Sequence, residues 1–158
     1  MADATANFTP KTQPNGGRHA FPIANGVTVY AGMLGSVEGG YLNHWADGAN
    51  DVFAGLVLGP GVGVGPGDAM LGNTSATPIP EAFVDCSGVT LMHLSIGGTA
   101  TQAKVGDLVY SADSSLTSIT LDSSGRTHPI GWMSRYRSAT DVDVTLFTPE
   151  TMLAQATA

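Results

Sequence analysis

The chain is 158 residues long, 42% hydrophobic and only 12% charged, about half the charged share of an average globular domain. Thirteen acidic against six basic residues give a formal net charge of −7, which excludes the basic surface that a nucleic-acid partner requires. No stretch approaches the roughly 18 to 20 apolar residues of a membrane-spanning helix and no signal-peptide pattern opens the chain, so we expect a protein made in the cytoplasm with no membrane partner.

The composition also predicts a protein surface with few charged side chains. With 21 glycines and so few charged residues, much of this surface is easier to explain if neighbouring subunits cover it, which favours an assembly. The length is that of a single domain. The single cysteine, Cys86, excludes an intramolecular disulfide, and we expect it to be a small buried hydrophobic residue.

Residues 1–25 are predicted to form a flexible N-terminal arm. They contain three prolines and only scattered apolar residues, too few to offset the entropy of ordering the chain. Aromatic and proline residues on such an arm can order on a partner's surface or add to an open sheet edge. The candidates for this contact are Phe8, Thr9, Pro10, Phe21 and Pro22. The alternative is an arm that stays loose or packs on its own domain.

Residues 26–147 are predicted to form an all-β domain, either a small β-barrel or a sandwich. The segment consists of short, mostly alternating stretches of β-branched and aromatic residues, separated by turns of Gly, Asp and Ser. The predicted strand regions are 26–34, 39–45, 52–58, 83–98, 107–113, 115–122, 128–138 and 141–147.

Two further segments complete the chain. Residues 59–81 hold too many glycines and prolines for a long regular element, so they are predicted to be a surface or inter-subunit loop. This stretch lacks a G-K-[ST] ending and any basic residue, which argues against phosphate binding. Residues 148–158 are predicted to be a short C-terminal turn or helix, with Thr148 as the cap and Pro149 at the first helical position.

One short sequence pattern occurs twice in the chain. Val29-Tyr30 and Val109-Tyr110 each end an apolar stretch, and each is followed by a polar hairpin and a returning strand with a central glycine, Gly55 or Gly131. A glycine inside a strand marks a bulge, a bend or a close approach of another backbone. Two such units could close a small barrel between them, the alternative being two chance hairpins.

The histidines do not predict a metal site, because none stands at metal-ligand spacing from another. His93 lies in the apolar stretch LMHLS, where a hydrogen-bonded core histidine is expected. His44 could bind a cation together with Asp47 and Asp51, but their stretch is first of all a turn.

Other chemistry-bearing residues form no recognisable constellation. The chain has no G-x-S-x-G nucleophile elbow. Asp141 and Asp143 stand two apart in a strand and therefore share one face, which we expect to meet solvent. We predict no catalytic residue, no cofactor-binding residue and no metal ligand, and hence a protein that is not an enzyme and needs no cofactor.

Three short stretches in the second half of the chain are similar to a known protein family. They are VGDLVY at 105–110, PIGWMSR at 129–135 and VDVTLF at 142–147. In this order they resemble the C-terminal half of the capsid cement or head decoration proteins of tailed bacteriophages. The resemblance covers mainly residues 26–147 and is a pattern of strand phrases. The segment 59–81 has no counterpart in the family pattern.

The resemblance implies a structural virion protein. Such a subunit is a small β-barrel with an extended N-terminal arm, lies on the outer surface of an icosahedral phage capsid, often as a homotrimer, and stabilises the lattice of the major capsid protein. The low charge, the arm and the acidic balance of the chain agree with this role.

The alternative function is a ligand-binding β-module for a carbohydrate or receptor, on a virion or fibre. This alternative predicts a cleft in which Trp45 or Trp132 is exposed beside Asp and Asn side chains. The more common role of an aromatic residue in a returning strand is in a core or an interface.

Overall fold

The computed structural model describes residues 17–97 and 99–148, and they form an all-β structure as predicted. The only helical element among these residues is one 3-10 turn, Gln102–Lys104. The strands are β1 Arg18–Pro22, β2 Thr28–Val29, β3 Leu34–Glu38, β4 Tyr41–His44, β5 Val52–Pro60, β6 Met70–Leu71, β7 Glu81–Asp85, β8 Thr90–Ser95, β9 Leu108–Ser111, β10 Ile119–Thr120, β11 Gly131–Ser138 and β12 Asp141–Leu146.

Ten of these strands form two five-stranded antiparallel sheets. The N-terminal sheet has the order β1-β7-β5-β3-β4, the C-terminal sheet has the order β8-β12-β11-β9-β10, and β2 pairs with β6 apart from both. Each sheet curls until its two edges approach each other. A single parallel bridge marks this approach in each sheet, between Ile23 and Leu42 in the first and between Gly97 and Thr120 in the second.

The two sheets have the same topology. If the small β2–β6 pair is left aside, the five strands of each sheet, numbered along the chain, stand in the order 1-5-4-2-3. The closing hydrogen bonds also correspond, since the Ala24 N–H donates to the Leu42 carbonyl at 2.9 Å and the Gly97 N–H to the Ile119 carbonyl at 2.8 Å. The chain is therefore an internal duplication of one five-stranded unit.

The register of this duplication differs from the repeat that the sequence suggested. Gly35 lies opposite Gly55, and Val109 lies opposite Gly131. The segment 32–35 thus corresponds to the segment 106–109. Gly55 and Gly131 occupy equivalent positions in their strands, as predicted. The two Val-Tyr pairs, in contrast, are not equivalent. Val29 belongs to the separate strand β2, whereas Val109 lies inside the C-terminal sheet.

The two central glycines mark a close backbone approach, as predicted. A Cβ atom at Gly55 would overlap the carbonyl oxygen of Asp85 on β7, and one at Gly131 would overlap the carbonyl oxygen of Thr145 on β12. Gly55 also has a φ of +136°, which side-chain-bearing residues rarely adopt. The repeated glycine is therefore a steric requirement of the repeated unit.

The end of the predicted N-terminal arm, residues 1–25, is part of the folded sheet. Residues 18–22 form β1, which pairs along its whole length with β7, and Ile23 is fully buried. Local composition did not indicate this strand, because its pairing partner lies about 60 residues further along the chain. The part of the predicted arm from residue 18 onwards is thus a folded edge of the N-terminal sheet.

Three other predicted segments are subdivided. The region 83–98 contains two strands, β7 and β8, which the left-handed Gly88 (φ +84°) helps to separate. The region 26–34 is interrupted between β2 and β3. The predicted loop 59–81 holds the end of β5 and the short strand β6, which pairs with β2. Of the predicted C-terminal turn or helix, only Thr148 lies among the described residues.

The two sheets share part of their core. One cluster of buried side chains, including Leu42, Val57 and Val84, lies inside the N-terminal sheet. The second cluster lies inside the C-terminal sheet but also contains Leu34 and Phe53 of the N-terminal sheet, together with Trp45, which directly follows β4. The outer face of β3 and β5 is therefore buried against the C-terminal sheet.

Polar contacts complete this junction. The buried Trp45 indole N–H donates to the Ser111 carbonyl at 2.9 Å. The buried carboxylate of Asp47 accepts hydrogen bonds from the backbone N–H groups of Thr127 and His128, each at 2.8 Å. Since buried polar groups require partners, these bonds set how the two sheets meet.

Candidate interaction surfaces

Strand β1 forms one edge of the N-terminal sheet. The Cys86 N–H donates to the Gly17 carbonyl at 2.8 Å, and the Ile23 N–H donates to the Pro80 carbonyl at 3.0 Å. In an antiparallel pair, this alternation directs the N–H and C=O groups of Arg18 and Ala20 away from β7. The β1 edge therefore presents backbone groups to which a strand of a partner could add.

The predicted capsid contacts fall into two groups. Phe8, Thr9 and Pro10 lie outside the described residues. Phe21 and Pro22 lie on β1, where both are half-buried. The Phe21 side chain packs against the N-terminal core cluster, which gives it a structural role. Its contact with a coat protein stays a prediction.

The outer face of β1 and β7 carries a pair that the sequence did not indicate. The Arg18 guanidinium lies 5.6 Å from the centre of the Phe83 ring, a cation–π geometry. These residues are 65 positions apart, so only the pairing of β1 with β7 reveals the contact. The pair puts one cation on the sheet face next to the β1 edge.

Strand β8 forms an edge of the C-terminal sheet and contains a bulge at Met92 and His93. The pairing with β12 shifts here, between Leu91 and Leu94, and His93 has a φ of +56°. The prediction of a core histidine is wrong, because the His93 side chain is 59% exposed and Met92 is 60% exposed. The bulge turns both side chains outwards, which the apolar neighbours of His93 in the sequence did not indicate.

A polar cluster supports the bulge. The backbone N–H of His93 donates to the Asp143 carboxylate at 3.1 Å, and its ring Nδ1 lies 3.1 Å from Asp141. The Arg137 guanidinium donates two hydrogen bonds to Asp143, at 2.8 and 2.9 Å. Asp143 is buried beneath these groups, so the prediction that it meets solvent is wrong, while Asp141 is half-exposed.

Hydrogen bonds from Arg137, supported by the bond from the His93 backbone, lower the pKa of Asp143 from 3.8 to about 2. A carboxyl group with a depressed pKa in the folded state stabilises the fold above its unfolded pKa and loses that contribution as the pH falls towards the folded value. The relevant window is therefore from about pH 4 down to about pH 2.

We expect Asp143→Asn to lower the unfolding temperature at pH 6, with a difference from the wild type that shrinks as the pH falls through this window. Thermal unfolding between pH 7 and pH 2 measures the effect. Asp107→Asn, at an exposed position, is the control and is expected to follow the wild-type profile. An equal loss of stability at pH 6 and at pH 2 would contradict the role of the ionised carboxylate.

The two tryptophans have opposite environments. Trp45 is 1% exposed, so it cannot be the exposed ring of a sugar-binding cleft. Trp132 is 37% exposed on the outer face of β11, opposite Leu108 on β9 and Thr145 on β12. Its registered neighbours are thus not the Asp and Asn side chains that the carbohydrate alternative predicts.

His44 and its neighbouring acids form structural contacts. The two ring nitrogens of His44 lie 2.7 Å from the Ser114 hydroxyl and 2.8 Å from the Thr28 carbonyl. Asp51 accepts from the backbone N–H groups of Ala46 and Gly48 in the same turn. The three residues that were considered for a cation thus have separate partners, and no group of three metal-ligating side chains occurs within 17–97 and 99–148.

A cavity of about 320 Å³ lies between the β2–β6 pair and the segment 60–69. The exposed Tyr30 and the nearly buried Met70 form part of its wall.

Cys86 is half-buried. Burial, together with the adjacent Asp85, raises the pKa of its thiol to about 11, so Cys86 is a weak nucleophile at neutral pH.

Comparison of the chain with family models, curated proteins and solved structures finds no match. Within the part of the chain that the structure describes, no helix is long and apolar enough to span a membrane.

Proposed function

We propose that this chain is a structural virion protein that binds the outer surface of an icosahedral phage capsid and stabilises the lattice of the major capsid protein. The observation that carries the proposal is the β1 edge, which follows directly on the segment that holds Phe8, Thr9 and Pro10. An arm that enters a sheet edge can dock on a coat protein by adding backbone hydrogen bonds and apolar anchors together.

The exposed apolar side chains support a surface that partners cover. They lie on both sheets, on the β2–β6 pair and in the segment 61–69, and they include Tyr30, Val62, Leu71, Met92 and Trp132. A chain with only 12% charged residues has a surface that is easier to explain where neighbouring subunits cover it.

The proposed mechanism is mass action on a lattice. A protein that binds only the assembled shell stabilises it by RT ln(1 + [L]/Kd), and this term needs no chemical step. In a homotrimer, three sets of contacts act together through their effective concentration, so weak individual contacts can hold the subunit in place.

The arm supplies the direct test. We expect the full chain to sediment with expanded phage shells and to raise their melting temperature, and we expect deletion of residues 2–16 to weaken shell binding at least about tenfold. The deletion stops before β1, because removal of residues as far as 20 would also delete paired strand residues.

Thermal unfolding of the free truncated protein is the control for this test. A retained transition together with lost shell binding assigns the loss to the arm. Unchanged occupancy of the shells by the truncated protein would contradict the arm contact, and failure of the full chain to bind any shell would contradict the function itself.

A further inference from the structure

The internal duplication allows a comparison that a single domain does not offer. On the outer face of the N-terminal sheet, Leu34 of β3 lies opposite Leu56 of β5. The equivalent residues of the C-terminal sheet are Leu108 of β9 and Trp132 of β11, which also lie opposite each other. The two pairs hold the same place in the repeated unit, so differences in their burial report what covers each face.

The N-terminal pair is covered. Leu34 is fully buried and belongs to the core cluster of the C-terminal sheet, and Leu56 packs against the same cluster. The backbone N–H of Leu34 donates to the Ser114 carbonyl, in the turn after β9, at 2.9 Å. This face is therefore closed by a second unit of the same fold.

The C-terminal pair is covered less completely. Leu108 is half-buried and, like Leu56, packs against the core cluster of the C-terminal sheet, but Trp132 is 37% exposed. Tyr110, two residues after Leu108 on the same face of β9, is also half-buried. We refer to Leu108, Tyr110, Trp132 and Thr145 as the Trp132 face.

We propose that the Trp132 face binds a second copy of this chain. The fold itself contains a precedent for this contact. The equivalent face of the N-terminal sheet, at β3 and β5, is covered by the C-terminal sheet, which has the same topology. The inference deepens the proposed function, because it names the surface through which a homotrimer would form.

The chemistry of the Trp132 face suits this occupant. None of its four side chains is charged, so a partner can exclude water from it without leaving a buried charge unpaired. Tryptophan and tyrosine supply the large rigid anchors that carry most of the energy of protein interfaces. The registered neighbour of Thr145 on β8 is Thr90, whose hydroxyl is already paired with that of Thr145 at 2.8 Å.

The test is the oligomeric state of the full chain in solution, measured by light scattering over a range of concentrations and without shells. We expect the wild type to associate and Trp132→Glu to raise the dissociation constant by about 30-fold or more. Ala139→Glu is the matched control: it adds the same charge in the exposed turn between β11 and β12, at the far end of β11 from Trp132, and is expected to associate like the wild type.

A second variant and a second measurement guard against a folding defect. Thr145→Lys changes a different strand of the same face and is expected to weaken association as well. Since Trp45 is already buried, the blue shift of tryptophan fluorescence on association should come from Trp132 and should be lost in Trp132→Phe.

The outcomes separate this inference from the proposed function. A wild type that stays monomeric, or variants that associate unchanged, would overturn the inference even if the chain binds shells. A monomer whose Trp132 fluorescence responds to a glycan would assign the face to a carbohydrate and would also overturn it. A chain that associates through Trp132 but ignores shells supports the inference and contradicts the capsid function alone.

Discussion

Gly55→Ala is expected to destabilise the protein by about 3 kcal/mol or more. The new Cβ atom would overlap the Asp85 carbonyl oxygen, which belongs to the backbone of β7 and cannot move without breaking the sheet. The φ of +136° adds a backbone strain that alanine cannot relieve. Urea or thermal unfolding of the purified variant measures the loss.

The same strand offers the control. Gly59 lies four residues along β5, has open space where a Cβ would stand and has no left-handed φ, so Gly59→Ala is expected to change stability by less than about 1 kcal/mol. Gly131→Ala should resemble Gly55→Ala because of the Thr145 carbonyl. Equal effects of Gly55→Ala and Gly59→Ala would disprove the steric argument and weaken the case for a repeated unit.

Trp45→Ala is expected to destabilise the protein by about 4 kcal/mol. The Trp45 ring is 1% exposed and packs edge-to-face against Phe53, with the ring centres 5.4 Å apart. Its indole N–H also donates a hydrogen bond to the Ser111 carbonyl of the C-terminal sheet. The substitution thus opens a cavity at the junction and leaves that carbonyl without this donor.

Trp45→Phe is the matched variant for this prediction. It keeps an aromatic ring in the cluster but removes the indole N–H, so we expect a loss of about 1–2 kcal/mol. Unfolding monitored in both variants by circular dichroism compares the two effects. If Trp45→Ala costs no more than Trp45→Phe, packing at this junction does not hold the two sheets together.

The duplication also explains the long glycine- and proline-rich segment 59–81. In the C-terminal unit, β11 and β12 are joined by the two residues Ala139 and Thr140. In the N-terminal unit, the equivalent strands β5 and β7 are separated by 61–80, which include β6 and form part of the cavity wall. The segment is thus an insertion at one turn of the repeated unit, and it leaves the strand order unchanged.

The local pattern of the sequence determined the fold class and the two critical glycines. Alternating β-branched and aromatic residues between Gly, Asp and Ser turns identify strands, because the two-residue period of a strand is a local property. Gly55 and Gly131 stood out for the same reason, since a glycine inside such a pattern predicts a close approach. The absence of metal-ligand spacing among the histidines was equally readable from the chain.

The tertiary structure alone decided which strands pair and which faces are buried. Local composition assigns residues 18–22 to the arm, because their pairing partner, β7, lies about 60 residues away. The apolar neighbours of His93 predict a buried side chain, but the bulge opposite Asp143 turns it outwards. Trp45 and Trp132 are the same residue type, but Trp45 lies in the core cluster that the two sheets share, whereas Trp132 lies on an outer face and is 37% exposed. Periodicity distinguishes the two faces of a strand, but burial depends on what the rest of the chain places against each face.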